Sequence, residues 1–149
     1  MSLMNKLLVK KPPCAGIIVF NGDNTVIVST DRGNMSFPKG KLHKAETDIT
    51  AAWRELEEET GLTNSKVKLI NDIHFDELSS RGNLSIRYFV GILTSEHKMF
   101  TFDETELAKV AWYNVEEALK FEKLKKERKI ILAEAYDFYN KNLIDYKIN

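Results

Sequence analysis

A chain of 149 residues, 43% hydrophobic and 30% charged, is long enough to bury roughly 70% of its unfolded surface, so we expect a single domain spanning residues 1–149. Lys plus Arg and Asp plus Glu both number 22, so the overall charge attracts neither nucleic acid nor an anionic membrane. The lone cysteine excludes an intrachain disulfide, and no apolar run approaches the roughly 20 residues that span a bilayer. These features predict a soluble protein of the cytoplasm.

The first elements form a predicted hairpin. The β-branched runs "CAGIIVF" (14–20) and "TVIVST" (25–30) flank the turn signal "NGDN". Pro38 and Gly40 then make "FPKGK" a predicted loop. Residues 1–3 precede a second methionine, Met4, and resemble a remnant of an expression vector. They are therefore left out of the fold prediction.

A helix over residues 48–60 is the next predicted element. Its apolar residues have the i, i+3, i+4, i+7 spacing of one helix face, and they are Ile49, Ala52, Trp53 and Leu56. Thr47 or Asp48 can cap its start, and Gly61 suits the left-handed residue that ends a helix.

Three further strands and a second helix complete the predicted chain. The strands are "KVKLINDIHF" (66–75), "LSIRYFVGIL" (84–93) and "VAWYNV" (110–115). From Asn114, a plausible N-cap, the apolar spacing predicts one long C-terminal helix, on which the basic run "KLKKERK" (123–129) is expected to be a solvated face. This order predicts a mixed β-sheet flanked by helices, because each face of such a sheet needs a cover.

The predicted 48–60 helix gathers negative charge. Glu55, Glu58 and Glu59 fall within an arc of about 100° at 100° per residue. Like charges at these spacings cost on the order of 0.2–0.5 kcal/mol each, so local helix stability does not explain the arrangement. A hard divalent cation does, because Mg²⁺ takes carboxylate, water and phosphate oxygens as ligands.

The wider spacing around these glutamates resembles a known family motif. The stretch from residue 40 to residue 62 matches the Nudix box at every specified position. It consists of Gly40, five residues, Glu46, seven residues and then "RELEEETGL" (54–62). The rest of the chain is compatible with that family's α/β/α sandwich, in which the box helix and a long C-terminal helix flank the mixed sheet.

The resemblance implies a pyrophosphohydrolase that uses Mg²⁺ or Mn²⁺ to attack a phosphoanhydride of a nucleoside diphosphate linked to another group. Carried over by position, Glu55, Glu58 and Glu59 resemble the family's metal ligands, with Gly40 in the adjoining tight loop. Arg54 is then expected to orient the carboxylates. Glu46 and Gly61 are expected to be structural, with Glu46 tying the loop to the helix. Glu55 is one candidate for the general base.

Residues outside the box point to diadenosine tetraphosphate hydrolases as the most similar subfamily. Lys39 and Lys41 are candidate phosphate-binding residues. Glu106, six residues before Trp112, resembles that subfamily's post-box glutamate, an additional metal ligand or the base. Tyr88 resembles a strand tyrosine that faces the nucleotide. Dinucleoside polyphosphates are therefore the expected substrates.

Other substrates and one other class of function stay open. "SFPKGKLHKAETD" (36–48) is similar to the start of the box in mRNA-decapping Nudix enzymes, so capped or 5′-triphosphate RNA is an alternative. Oxidised nucleoside triphosphates and diphosphoinositol polyphosphates are others. A non-catalytic nucleotide-binding module is the alternative of another class, although such a module is expected to lack some box carboxylates. The expected partner is a small nucleotide substrate. We expect no membrane partner and, with the exception of capped RNA, no nucleic acid. The protein is expected to be a monomer or a homodimer.

Overall fold

The computed structural model describes residues 11–97 and 99–148, with side chains for all of these except 71, 72 and 144–148. In chain order the elements are β1 (Cys14–Asn21), β2 (Asn24–Ser29), β3 (Met35–Ser36), β4 (Lys39–Lys41), α1 (Asp48–Thr60), β5 (Val67–Leu78), β6 (Leu84–Leu93), β7 (Lys109–Asn114), α2 (Val115–Ala118) and α3 (Lys126–Ile148). None of the described helices is both long enough and apolar enough to cross a membrane.

The strands of the described residues form one mixed sheet. Its central order is β3-β2-β1-β6-β5, while β4 pairs with β1 and β7 pairs with β2. The β1–β6 pair is parallel and the other pairs are antiparallel. The predicted mixed sheet is therefore confirmed.

The central strand β1 is buried on both faces, because successive residues along it point alternately into two separate cores. Ile18 and Phe20 pack with residues of α3, whereas Ile17 and Val19 pack with residues of α1. One helix thus covers each face of the sheet. This is the α/β/α sandwich predicted from the sequence.

Helix α1 has the predicted bounds for the predicted local reasons. The Thr47 Oγ1 atom accepts a hydrogen bond from the Thr50 N–H at 3.3 Å, which caps the first turn. Gly61 has φ +82° and donates its N–H to the Glu57 carbonyl at 2.8 Å. The prediction that Ile49 packs was wrong, since its side chain is 41% exposed. Thr47 and Thr50 are exposed as well, whereas Ala51 of the same turn is fully buried, so Ile49 lies on the solvent side of the first turn.

Two other sequence predictions need correction. The predicted "FPKGK" loop contains a short strand, because Lys39–Lys41 pairs with β1. The predicted single C-terminal helix is two helices, α2 and α3, separated by residues 119–125. The break has a tertiary cause: Leu124 is only 1% exposed and forms a β-bridge with Met35 at the sheet edge. Asn114 does cap α2, since its Oδ1 accepts the Glu117 N–H at 3.1 Å.

Candidate active site

Arg54 is the organising residue of the carboxylate cluster on α1. Its Nε and Nη2 atoms donate to the two carboxylate oxygens of Glu46, each at 2.9 Å. Its Nη1 atom donates to Glu55 at 2.9 Å and to Glu58 at 3.2 Å, and Nη2 also donates to the Lys41 carbonyl at 2.8 Å. One guanidinium therefore fixes two acidic side chains of the helix and the loop before it.

Glu46 ties the loop to the helix. Besides its two bonds from Arg54, its Oε1 atom accepts the His43 N–H at 2.8 Å. These hydrogen bonds, the largest being that from Arg54, lower the pKa of Glu46 to about 2. Its carboxylate therefore stays charged throughout the neutral range and holds Arg54 in one orientation.

The absence of a side chain at Gly40 makes room for Glu55. A Cβ atom at Gly40 would overlap the carboxyl carbon and both carboxylate oxygens of Glu55. The Glu55 side chain is 14% exposed. Burial, opposed by the bond from Arg54, raises the pKa of Glu55, and the negative charges of Glu58 and Glu106 raise it further. Glu55 is thus a confined carboxylate among other acids.

Glu59 lies against the same loop. Its Oε1 atom accepts the Lys39 N–H at 2.9 Å. Burial is the main cause that raises the pKa of Glu59 to about 7, and the charges of Glu55 and Glu106 act in the same direction. The cluster therefore contains more negative charge than its own cations neutralise.

Glu106 is exposed and comes from the segment between β6 and β7. Its charge acts on both Glu55 and Glu59, which places it on the same side of the molecule as the helix cluster. The Thr101 N–H donates to the Thr60 carbonyl at 3.1 Å and so anchors this segment to the end of α1.

These residues suit a hard divalent cation by chemistry, although the described residues contain no group of three His, Cys, Asp or Glu already arranged to hold a metal. The carboxylates are instead held by protein donors: Arg54 for Glu55 and Glu58, and the Lys39 N–H for Glu59. The Glu58 side chain is 54% exposed, so its bond from Arg54 is open to solvent. Burial, and to a smaller extent the neighbouring acidic charges, raises the pKa values of Glu55 and Glu59, and a bound cation would lower them.

Lys39 and Lys41 border the carboxylate cluster. Lys39 is half-buried and Lys41 is exposed, and both lie on β4 beside the β1 residues from Cys14 to Gly16. Their charges act on the Cys14 thiol, although burial dominates and raises its pKa. The charge of Lys39 also acts on Glu59, so this lysine lies near the carboxylate cluster.

Tyr88 is a correction to the predicted site. Its side chain is fully buried, lies edge-on to Phe37 with ring centroids 5.2 Å apart, and donates to Glu77 at 3.3 Å. It belongs to the core on the α3 face, whereas Glu55 and Glu59 lie on the helix of the other face. Such a tyrosine packs the core and does not face a nucleotide.

Sequence reasoning missed a buried ion pair next to Tyr88. The Arg128 Nε atom donates to Glu77 at 2.8 Å, and both side chains are less than a tenth exposed. Arg128 belongs to the basic run that was expected to be a solvated face, so that expectation was wrong for this residue. The buried residues Ile131, Leu132 and Ala135 follow position 128 at i+3, i+4 and i+7, which places it on the packed face of α3, and this periodicity was the available signal.

A family model described as "NUDIX domain" matches residues 10–135. Among curated proteins, the mRNA decapping complex subunit 2 of Schizosaccharomyces pombe is 33% identical over 89 residues, covering 60% of this chain and 12% of that protein. The RNA pyrophosphohydrolase of Pelagibacter ubique is 44% identical over 61 residues, covering 38% of this chain and 37% of that protein. The matched regions are therefore minor parts of both relatives.

Solved structures share the fold at low sequence identity. The C. elegans Ap4A hydrolase binary complex has a TM-score of 0.74 and 19% identity, covering 86% of this chain and 98% of that one. The M. smegmatis protein RenU, titled a Nudix hydrolase, has a TM-score of 0.70 and 12% identity, covering 88% of this chain and 87% of that one. At these identities the likeness establishes the fold alone.

Proposed function

The chain belongs to the NUDIX family, and on that basis we propose that it is a metal-dependent pyrophosphohydrolase that cleaves a phosphoanhydride bond in a nucleoside polyphosphate. The observation that carries this proposal is the group of acidic side chains that Arg54 and the Lys39 N–H hold beside Gly40. The family uses divalent metals, and Mg²⁺ or Mn²⁺ suits these oxygen ligands.

In the proposed reaction a water oxygen forms a bond to phosphorus, and the bridging phosphorus–oxygen bond breaks. A divalent cation bound at this site supplies positive charge for the phosphate oxygens and a lower pKa for water. Glu55, Glu58, Glu59 and Glu106, with Gly40 in the adjoining loop, are the residues that would hold it. The water proton passes to a carboxylate, and the leaving phosphate departs with the bridging oxygen.

Two carboxylates are candidates for the proton acceptor. Glu55 is confined, and burial raises its pKa, so its carboxylate is a stronger proton acceptor than an exposed glutamate. Glu106 is exposed on the neighbouring segment, where it can reach water without displacing a bond from Arg54. Lys39 and Lys41 are the proposed partners of the substrate phosphates.

Two nucleoside polyphosphate classes are proposed as substrates, and the 5′ ends of RNA are the first. Relatives named as an mRNA decapping complex subunit and an RNA pyrophosphohydrolase support it, together with the decapping-like stretch 36–48. Such substrates present a phosphoanhydride bearing a nucleoside, as the proposed chemistry requires.

Dinucleoside polyphosphates are the second proposed class. The position of Glu106 beside Glu55 and Glu59 supports them. The burial of Tyr88 removes one of the sequence features that favoured them.

A hydrolysis screen tests both the activity and the substrate. Purified protein with Mg²⁺ is assayed on 5′-triphosphate RNA, capped RNA, diadenosine tetraphosphate, 8-oxo-dGTP, diphosphoinositol pentakisphosphate and ADP-ribose. Glu58→Gln is assayed beside Glu57→Gln, a matched control on the same turn whose exposed side chain lies outside the cluster.

We expect the Glu58→Gln variant to lose activity and the Glu57→Gln variant to keep it. Fastest turnover of an RNA 5′ end supports the first substrate class, and fastest turnover of diadenosine tetraphosphate supports the second. Saturable nucleotide binding without turnover of any substrate would contradict the enzymatic proposal and favour a binding module.

A further inference from the structure

The segment from Met35 to Lys41 connects the two faces of the sheet. Phe37 packs in the core on the α3 face. Two residues later, the Lys39 N–H donates to Glu59 of α1 at 2.9 Å, and between them the Pro38 carbonyl accepts the Ile17 N–H at 3.1 Å. The Lys39–Gly40 strand pairs with β1, and the same short segment carries it from the core on the α3 face to the carboxylates of α1.

Two contacts from the α3 side hold that start. The Arg128 Nη1 atom donates to the Met35 carbonyl at 2.9 Å. The Met35 N–H donates to the Lys123 carbonyl at 3.3 Å, although this bond is long. The N–H and C=O groups of Met35 are thus bound by Lys123, which precedes α3, and by Arg128, which lies in α3. Of these two partners, Arg128 is the charged donor.

Arg128 is itself fixed by a buried carboxylate. Its Nε and Nη2 atoms donate to the two oxygens of Glu77 at 2.8 and 3.3 Å, and the Tyr88 hydroxyl also donates to Glu77 at 3.3 Å. The Arg128 and Glu77 side chains are 8% and 7% exposed. A buried ion pair of this kind is weak evidence for stability, because desolvation offsets the attraction between the charges. A role in placing other groups is a better explanation for its presence.

We propose that Arg128 is a positioning residue for the candidate active site: held by Glu77, it clamps the Met35 carbonyl and so sets where Lys39 and Gly40 meet Glu59 and Glu55. The proposal deepens the proposed function, on which its catalytic consequence rests. Its structural part, the placement of the Lys39–Gly40 strand, stands independently of any substrate.

Arg128→Lys is the direct test, because one ammonium can keep a bond to Glu77 but cannot reproduce the planar fork that reaches both Glu77 and Met35. The double variant Glu77→Leu/Arg128→Met removes both charges together and leaves no unpaired buried charge if the single variant folds poorly. Arg87→Lys is the matched control. Arg87 is equally buried and pairs bidentately with Asp76 on β5, and within the described part of the chain its side-chain hydrogen bonds go to Asp76 and Asp48 rather than to residues 35–41.

The first readout is amide hydrogen exchange, which needs no substrate. We expect exchange of the Lys39 and Ile17 amides to become about tenfold faster in Arg128→Lys and in the double variant. This is the size of effect expected when one charge-assisted hydrogen bond, that from Arg128 to the Met35 carbonyl, is lost. In Arg87→Lys these two amides should exchange at the wild-type rate. Unchanged exchange in both position-128 variants would overturn the proposal.

The second readout is the split between kcat and KM on the substrate found by the screen. We expect kcat to fall roughly tenfold and KM to rise by a smaller factor, because the displaced strand moves the proposed phosphate partner Lys39 as well as the geometry of the reacting centre. Equal kcat in wild type and both position-128 variants would overturn the catalytic part. If the wild type hydrolyses nothing, the proposed function fails, and amide exchange alone still decides the positioning role.

Discussion

Replacing Gly40 by alanine is expected to expel the Glu55 carboxylate from its place. The added methyl group would overlap all three atoms of that carboxyl group. The strand has little room to yield, since Gly40 pairs with Ala15, which is fully buried in β1. The Glu55 side chain must therefore rotate away and give up its 2.9 Å hydrogen bond from Arg54.

The size of the effect follows from this broken hydrogen bond and from the displacement of the carboxylate. Loss of a hydrogen bond between charged groups costs roughly 1.5–3 kcal/mol of unfolding free energy. A displacement of about 1 Å at a reacting centre lowers kcat on the order of 100-fold. We therefore expect Gly40→Ala to fold, to be moderately destabilised and to lose most of its turnover.

A double-mutant cycle with Glu55→Ala isolates this clash. Urea unfolding and kcat are measured for the wild type, both single variants and the double variant. Once the carboxylate is gone, Gly40→Ala should cost less than about 0.5 kcal/mol and should hardly lower kcat further. An equal cost in both backgrounds would refute the reasoning, because it would show that the methyl group acts on something other than Glu55.

Three further predictions concern the charged cluster and the core. The pKa of Glu59 is raised from 4.5 to about 7 in the folded protein. Without metal, its contribution to the free energy of unfolding is therefore complete below pH 4.5 and is lost as the pH rises through 7. The free energy of unfolding should fall on the order of 3 kcal/mol over this range. Urea unfolding across this range should show the fall in wild type, and the slope should flatten in Glu59→Gln. Leu56→Ala should cost about 2–5 kcal/mol in the same assay, because Leu56 is fully buried, whereas the 41% exposed Ile49 should tolerate alanine at less than about 1 kcal/mol. Tyr88→Phe should cost about 1 kcal/mol of stability through its lost bond to Glu77 and leave KM unchanged.

Each of these has a contrary result. A Glu59→Gln variant with the pH profile of wild type would assign the titration to another group. Similar losses for Leu56→Ala and Ile49→Ala would contradict the described packing of α1. A raised KM in Tyr88→Phe would restore this residue to the substrate site.

Helix α1 was predictable because its signals are local. Thr47 caps it, Gly61 ends it in the left-handed region, and the apolar residues recur at helical spacing, so the bounds follow from adjacent residues alone. The mixed sheet followed from the order of the elements, since the two groups of strands are each followed by a helix and each face of the sheet needs a cover.

Apart from the exposed Ile49, the errors involve partners distant in sequence. Strand β4 exists because Gly40 pairs with Ala15, and the helix break before α3 exists because Leu124 meets Met35. Arg128 lies in a run of exposed lysines, yet its partner Glu77 is 51 residues away. A resemblance by position also placed Tyr88 at the nucleotide, while its strand face points it into the α3 core.

Titration with Mn²⁺ followed by electron paramagnetic resonance tests the central claim most directly, because it asks whether the cluster on α1 binds a divalent cation at all. Wild type, Glu58→Gln, Glu59→Gln and the control Glu57→Gln are titrated without substrate. We predict saturable binding in wild type and in Glu57→Gln, weakened at least tenfold in the other two variants. Absence of saturable binding in wild type, or equal binding in all four proteins, would contradict the account.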